Sequence, residues 1–387
     1  MAQNPKPIRR VVTGNDAQGR SKVVWDGAAS NATGPTTGTV RSWTDLWVWS
    51  ETPILLSGDE DAGNLPYDFP GPPNGGHLRV IQAQGRQPDY DPAKDAKLVP
   101  PHPPMMRPAG RTWDRGGINA FSSSMHKTET VDYGVVLEGM RLMVLDDCEV
   151  EINQGDTFIQ VGAWHQWVQP KTGIIAFDMI GARFLDGPAG LAQGNDPVLR
   201  PNPNQKLPEG VKPARRIVTI DREPGKSSLV SDGACPDVRV DLARPGYASQ
   251  RMWVTDSAPA KIVYETLHLP HTIEPPARGT VLRVVTFPPD DVWHGKVGTK
   301  EVQAFFSMMG SIGASTYSPQ APHPYMQKTR TFDYCSVLEG EIVLVLDTQE
   351  VTMKAGDIAL LRGANHAWSN RSTRPAVVEI SSHDGTW

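Results

Sequence analysis

The chain repeats itself, and the spacing of the repeat limits what it can fold into. Residues 127–139 read K-T-E-T-V-D-Y-G-V-V-L-E-G, and 201 positions later residues 328–340 read K-T-R-T-F-D-Y-C-S-V-L-E-G. The same offset carries G-D-T-F-I-Q-V-G-A-W-H-Q-W (Gly155 to Trp167) onto G-D-I-A-L-L-R-G-A-N-H-A-W (Gly356 to Trp368), so the strands and turns between kept their lengths. Nearer the start, R-R-V-V-T at Arg9 to Thr13 returns as R-R-I-V-T at Arg215 to Thr219, and Asp26-Gly27 as Asp232-Gly233. Here the offset is 206, five residues having been lost from the loops between. Two copies cannot build a solenoid. They fit a duplicated domain, residues 1–200 and 201–387, joined through the Pro-rich stretch from Asp196 to Gly210.

Within each copy the pattern is that of short strands. Val135 to Asp147 gives a strand, a Glu-Gly turn, a strand and an Asp-Asp turn; Glu149 to Ile152 then alternates polar and apolar before Gln154-Gly155-Asp156 turns again. The second copy repeats this through Glu350 to Lys354 and Ala355-Gly356-Asp357. With 36 glycines and 35 prolines in 387 residues, a helical bundle or coiled coil is excluded. Antiparallel strands at this spacing close into a small barrel or jelly roll, so the expected class is all-β.

A net charge of −5, from 38 basic and 43 acidic residues with no run of like charge, argues against a nucleic-acid partner. No apolar run approaches the ~18 residues that span a bilayer, and the opening MAQNPKPIRR has no apolar h-region, so a soluble cytoplasmic chain is expected. Cys148, Cys235 and Cys335 lack C-x-x-C spacing and read as thiols in a reducing compartment. The Asn31-Ala-Thr sequon has no secretory context.

These segments resemble the cupin superfamily, whose first motif has the form G-x5-H-x-H-x3,4-E-x6-G and whose second G-x5-P-x-G-x2-H-x3-N. Copy one reads His126-x-Thr128-x3-Asp132-x6-Gly139, then Gly155-x4-Gln160-x-Gly162-x2-His165-x3-Gln169. Copy two reads Gln327-x-Thr329-x3-Asp333-x6-Gly340, then Gly356-x4-Leu361-x-Gly363-x2-His366-x3-Asn370. The resemblance covers about 45 residues in each half and implies two tandem cupin barrels, each a double-stranded β-helix of jelly-roll type. The first motif departs from the family: threonine replaces the second histidine, aspartate replaces glutamate, the leading glycine is missing, and copy two also lacks the first histidine.

By this resemblance His126, Asp132 and His165 form the metal set of copy one. His126, Thr128 and Asp132 share even parity and would face one side of an uninterrupted strand. Two imidazoles and one carboxylate suit Fe(II), with Zn, Mn or Ni as other occupants. Gln327, Asp333 and His366 of copy two cannot hold a metal unaided, unless His323 substitutes from its loop. A structural alternative is an Asp-His hydrogen bond pinning the strands of both copies. Thr128 and Arg141 are the catalytic candidates. Arg141 stands where copy two has Ile342: facing inward it would clamp a substrate carboxylate or enolate, and facing outward it would be an ordinary snorkelling arginine.

Trp164, Trp167 and Tyr133, with Trp368 and Tyr334, are candidates for an aromatic pocket, though barrel packing accounts for such residues too. The stiff segment Leu98 to Pro108 is expected as a surface loop near a barrel mouth. His77, His102, His268, His271 and His294 lack a carboxylate at ligand spacing and read as structural. No nucleophile elbow or phosphate loop is present. The expected protein is a bicupin enzyme with one divalent metal, oxidising or oxygenatively cleaving a small aromatic or enolic substrate, with no nucleic-acid or membrane partner and a homodimeric assembly. Its degenerate second barrel covers the first barrel's apolar face. Non-redox isomerase, cyclase, decarboxylase or lyase chemistry on the same ligands, and a metal-free binding bicupin, remain open at this point.

Overall fold

The computed structural model describes residues 5–34, 41–58, 60–67, 69–185 and 206–387; the stretch 196–205 of the expected join lies outside them. The chain is all-β, built as two barrels. Along Thr130–Glu138 the side chains alternate as a strand requires. Val131, Tyr133 and Val135 enter an apolar cluster shared with Phe332, Tyr334 and Leu360 of the second repeat. Val136 and Asp132 turn into their own barrel. This inter-barrel core is also sealed by polar contacts, including Tyr133 Oη to Thr280 Oγ1 at 2.7 Å.

Each barrel pairs one broad sheet with a three-stranded sheet, and the first repeat carries a second small sheet of Met105–Met106, Thr112–Asp114 and His126–Thr128. In the first repeat the small sheet pairs Met140–Val144 with Glu149–Asn153 and Gln166–Val168. In the second it pairs Glu341–Leu346 with Glu350–Lys354 and His366–Ser369. The broad sheets do not stop at the repeat boundary. Arg215–Glu223 lies parallel to Thr157–Val161 of the first repeat, in register Phe158 to Ile217 and Ile159 to Val218. Reciprocally, Arg9–Asn15 lies parallel to Ile358–Arg362 of the second repeat, with Val11 against Ala359. Each half thus lends its opening hairpin (9–28 or 215–234) to the other's sheet, covering an edge that would otherwise be left unpaired.

The echoed Arg-Arg and Asp-Gly pairs are the latch of this exchange. Arg9 donates to Asp26 of its own hairpin and to Asp357 of the other barrel, both at 2.8 Å. Arg215 does the same with Asp232 and Asp156, at 2.6 and 2.7 Å. The neighbouring arginines point the other way: Arg10 to Asp61 at 2.5 Å, and Arg216 to Glu265 at 2.9 Å. Deeper in the interface, Lys127 and Asp221 form a buried pair at 2.7 Å, and Asp221 also accepts the Trp164 backbone N–H at 3.0 Å.

The α-helix among the described residues is Thr299–Met308, inserted in the second repeat, where it packs Val302, Phe305 and Phe306 into that barrel. No helix of the described residues is long and apolar enough to cross a membrane. The three cysteines are free thiols, buried or half-buried.

Candidate functional site

The first barrel encloses a cavity of about 470 Å³, and the expected residues His126, Asp132, His165 and Arg141 all line it, with Trp167. The two histidines sit directly opposite each other on a backbone bridge, with N–H···O distances of 2.9 Å in both directions, so their rings stand side by side with centroids 4.2 Å apart. His126 Nδ1 lies 2.8 Å from the Ser124 carbonyl, and His165 Nδ1 lies 2.9 Å from that of Ala163. A carbonyl only accepts, so each Nδ1 carries the proton and each Nε2 keeps its lone pair. Burial, helped by the positive charge of Arg107, pulls His126 down to about 4. Burial, with His126 beside it, holds His165 well below the usual imidazole range. Both rings are therefore neutral at pH 7, as a metal ligand must be.

Asp132 stands on Thr130–Glu138 between Gln160 and Met179. Burial pushes its carboxyl up to about 7 against a hydrogen bond from Thr130, and Asp178 adds to the rise. Its Oδ1 is buried without a partner. Two lone-pair nitrogens and an orphaned carboxylate oxygen on the wall of one cavity are a donor set that fits a divalent cation. Among the described residues, however, no three His, Cys, Asp or Glu side chains close on a common point. The strand explains this. It is interrupted at Glu129: His126–Thr128 belongs to a separate short strand paired with Thr112–Asp114. Parity across an uninterrupted strand therefore does not carry from His126 to Asp132. Thr128 is buried, its hydroxyl 3.4 Å from that of Thr112, and it does not line the cavity.

Arg141 faces inward. It lies opposite Ile152 in the small sheet and is 3% exposed, and its Nε and Nη2 have no hydrogen-bond partner. Burial, reinforced by Arg41, draws the guanidinium down to about 9. The sequence reading missed Arg41, Arg79 and Arg107 on the same wall. For Arg79 a signal existed, since Leu78-Arg79-Val80 returns as Leu282-Arg283-Val284 at equivalent strand positions. Arg107 is the residue of the Pro-rich segment on the cavity wall, and where only loop was expected that segment also forms the short strand Met105–Met106; the Arg107 guanidinium is held by Asp114 and Ser124 at 2.7 and 2.8 Å.

Of the aromatic candidates, Trp167 lines the cavity. Trp164 is instead buried under Arg115, whose guanidinium lies 3.8 Å from the ring centroid. Tyr133 and Tyr334 belong to the inter-barrel core. Trp368 borders the much smaller space, about 40 Å³, in the second barrel. There Gln327 takes the place of His126 on the same kind of bridge, and its amide Nε2 lies 3.2 Å from His366 Nε2, stoppering the nitrogen that would bind. Asp333 accepts from Thr331 Oγ1 at 3.0 Å, and the structure shows no Asp333–His366 hydrogen bond. His323 accepts the Tyr325 N–H at 3.1 Å, packs against Trp293 and stays off that space. Among the other histidines, His271 pairs with Asp237 at 3.1 Å, a carboxylate 34 positions away, which no local spacing reveals.

No protein-family model matches the chain. Short stretches match fungal proteins. Phomopsin biosynthesis cluster protein C' of Diaporthe leptostromiformis is 54% identical over 48 residues, 12% of this chain and 25% of that protein. The cupin-domain-containing oxidoreductase srdD of Neurospora crassa is 40% identical over 47 residues, 12% and 24% respectively. The matches thus span about a quarter of those relatives' length. Among solved structures, a cupin 2 conserved barrel domain protein from Leptotrichia buccalis aligns over 80% of this chain and 83% of its own, at 8% identity and TM-score 0.34. Bacillus subtilis oxalate decarboxylase aligns over 80% and 69%, at 9% and 0.33. Two barrels of paired broad and narrow sheets, carrying both motifs twice in order, decide the architecture. The fold is that of a bicupin. Of the two barrels only the first, among the described residues, combines a roomy cavity with two available imidazole nitrogens.

Proposed function

We propose that the first barrel is the catalytic one, a divalent-metal cupin enzyme acting on a small organic molecule, with His126 and His165 holding the ion and Asp132 supplying the anionic oxygen. The observation that carries this reading is the pair of tied Nδ1 atoms, which leaves two neutral Nε2 donors side by side on an open cavity. When bound, such an ion supplies Lewis acidity and, if redox-active, a route for electrons between substrate and oxygen. The chain's own residues do the rest. The Ser124 and Ala163 carbonyls fix the two rings in the ligating tautomer. Trp43, Phe69, Trp167 and Phe177 give the cavity an apolar wall that keeps bulk water away from a bound molecule. Burial holds the proton on Asp132 up to about pH 7 when the site is empty, and a cation that takes its oxygen displaces that proton to solvent.

Within this reading we favour Fe(II) and oxidation or oxygenative cleavage. The two-histidine, one-carboxylate set supports it, as does the oxidoreductase name of the Neurospora relative, whose match is confined to 47 residues. The test is elemental analysis of protein purified without added metal, followed by oxygen-electrode measurements on the iron-loaded protein. About one iron per chain with substrate-dependent oxygen uptake is expected. A stoichiometric metal with no oxygen uptake points to non-redox chemistry on the same ligands. Metal below roughly a tenth per chain, after loading, overturns the metal reading.

A further inference from the structure

We propose that the first-barrel cavity selects a carboxylate-headed molecule with an apolar body, and that Arg141 is the residue that selects it. This deepens the proposed function by naming the substrate class of the same site.

A guanidinium removed from water and given no acceptor is destabilising, yet Arg141 is 3% exposed with Nε and Nη2 unpartnered. Those two nitrogens present their N–H bonds along one edge of the planar group. That edge is the fork that meets both oxygens of a carboxylate in parallel hydrogen bonds. Among the described residues Asp132 is the one carboxylate on a wall that also carries Arg41, Arg79, Lys97, Arg107 and Arg141. Arg79 is satisfied by Asp45 at 2.5 Å and Arg107 by Asp114 at 2.7 Å, so their charges are already met. Arg141 has no such counter-ion among the described residues.

The second barrel sharpens the assignment. There the equivalent position is Ile342, fully buried, and the cavity is all but gone. Arg79, which has an ion-pair partner, keeps its arginine counterpart in Arg283, whereas Arg141, which has none, does not. The lone guanidinium accompanies the open cavity rather than the scaffold. The rest of the wall, with Trp43, Phe69, Trp167 and Phe177, suits a flat or branched apolar body, and about 470 Å³ is within the usual size range for a small-ligand site.

The test uses the full chain stripped of metal with EDTA, so that its result does not depend on the metal reading. Calorimetric titrations compare three acids, cinnamate, phenylpyruvate and indole-3-acetate, with cinnamamide and indole-3-acetamide, and with inorganic phosphate. At least one acid should bind, and where its amide is in the set the acid should bind roughly tenfold or more tightly, as expected for a charge-assisted fork meeting a neutral isostere. In Arg141→Ile and Arg141→Gln the discrimination should fall to near parity. Ligand-free Arg141→Ile should also melt higher than wild type, because an unpaired buried charge has been removed. Acid and amide binding equally to wild type, discrimination surviving in both folded variants, phosphate matching the best acid, or no acid binding at millimolar concentration would each overturn the assignment. If the carboxylate preference fails while purified protein still carries metal, the metal reading stands; if discrimination holds and no metal can be loaded, only the metal reading falls.

Discussion

Across the bridge from His126 to His165 the backbone hydrogen bonds measure 2.9 Å both ways; across that from Gln327 to His366 they measure 2.8 and 2.9 Å. The strands agree, and the contents of the barrels do not. In the first barrel two imidazoles and a lone guanidinium face a cavity. In the second an amide caps the remaining histidine, isoleucine stands for the arginine, and Phe305 from the inserted helix packs beside Arg244, whose guanidinium lies 3.5 Å from the Tyr325 ring centroid. One duplicated scaffold can thus keep its register while exchanging a polar interior for a packed one, because register is set by backbone pairing and turns, and the interior by a handful of inward side chains.

Four measurements test this contrast. The largest concerns metal. His126→Ala should drop bound metal, measured by mass spectrometry of the purified protein, from about one per chain to roughly a tenth or less, whereas His366→Ala should leave it unchanged. Equal loss in both variants would erase the functional difference between the barrels.

Next come the equivalent lysines. Lys127→Ala strands Asp221 in the buried interface and should cost about 3–5 kcal/mol in chemical denaturation. Lys328→Ala, whose amine reaches the Gly19 carbonyl at 3.4 Å and stands 5.4 Å from the Trp387 ring centroid, with no carboxylate partner among the described residues, should cost less than about 1 kcal/mol.

A smaller effect is expected at Glu379, which accepts from Thr157 across the barrels at 3.3 Å. Burial, opposed by that hydrogen bond and reinforced by Asp178, raises its carboxyl to about 8 from 4.5. The unfolded chain releases this proton near pH 4.5 while the folded chain keeps it to about pH 8, so Glu379 erodes stability as pH rises through that window. Glu379→Gln should therefore gain on wild type from pH 5 to 8, by roughly 1–3 kcal/mol, and the difference should level off above it. A gain independent of pH in melting curves would show that its charge is not the cause. Smallest are the latches: Arg9→Ala and Arg215→Ala should each cost about 0.5–1 kcal/mol and match each other, since the two arginines make the same contacts at similar exposure.

The fold was readable because duplication prints it twice, and any motif found at a fixed offset constrains strand lengths as well as residue types. Asp132 and His165 were readable for the same reason, recurring as Asp333 and His366, whereas His126, replaced by Gln327, was readable only through the family motif. The failure of the three to close on one point was not, because the interruption at Glu129 has no turn residue to announce it. The exchange of hairpins was hidden as well. Arg9, Arg215 and their aspartates were visible as an echo, but their second partners, Asp357 and Asp156, lie 348 and 59 positions away, and long-range pairing leaves no local pattern. Arg141 was undecided by sequence: alternation within a five-residue strand is too short to fix which face is inside, and only the register against Ile152 does so.

The hairpin exchange also explains why a plugged barrel would persist in such a molecule. Cut away everything after residue 205 and Thr157–Val161 loses its parallel neighbour, Arg215 no longer clasps Asp156, and Lys127 is left with an ammonium and no Asp221. The second half is therefore a buttress for the first, which cannot be trimmed free of it without exposing that edge.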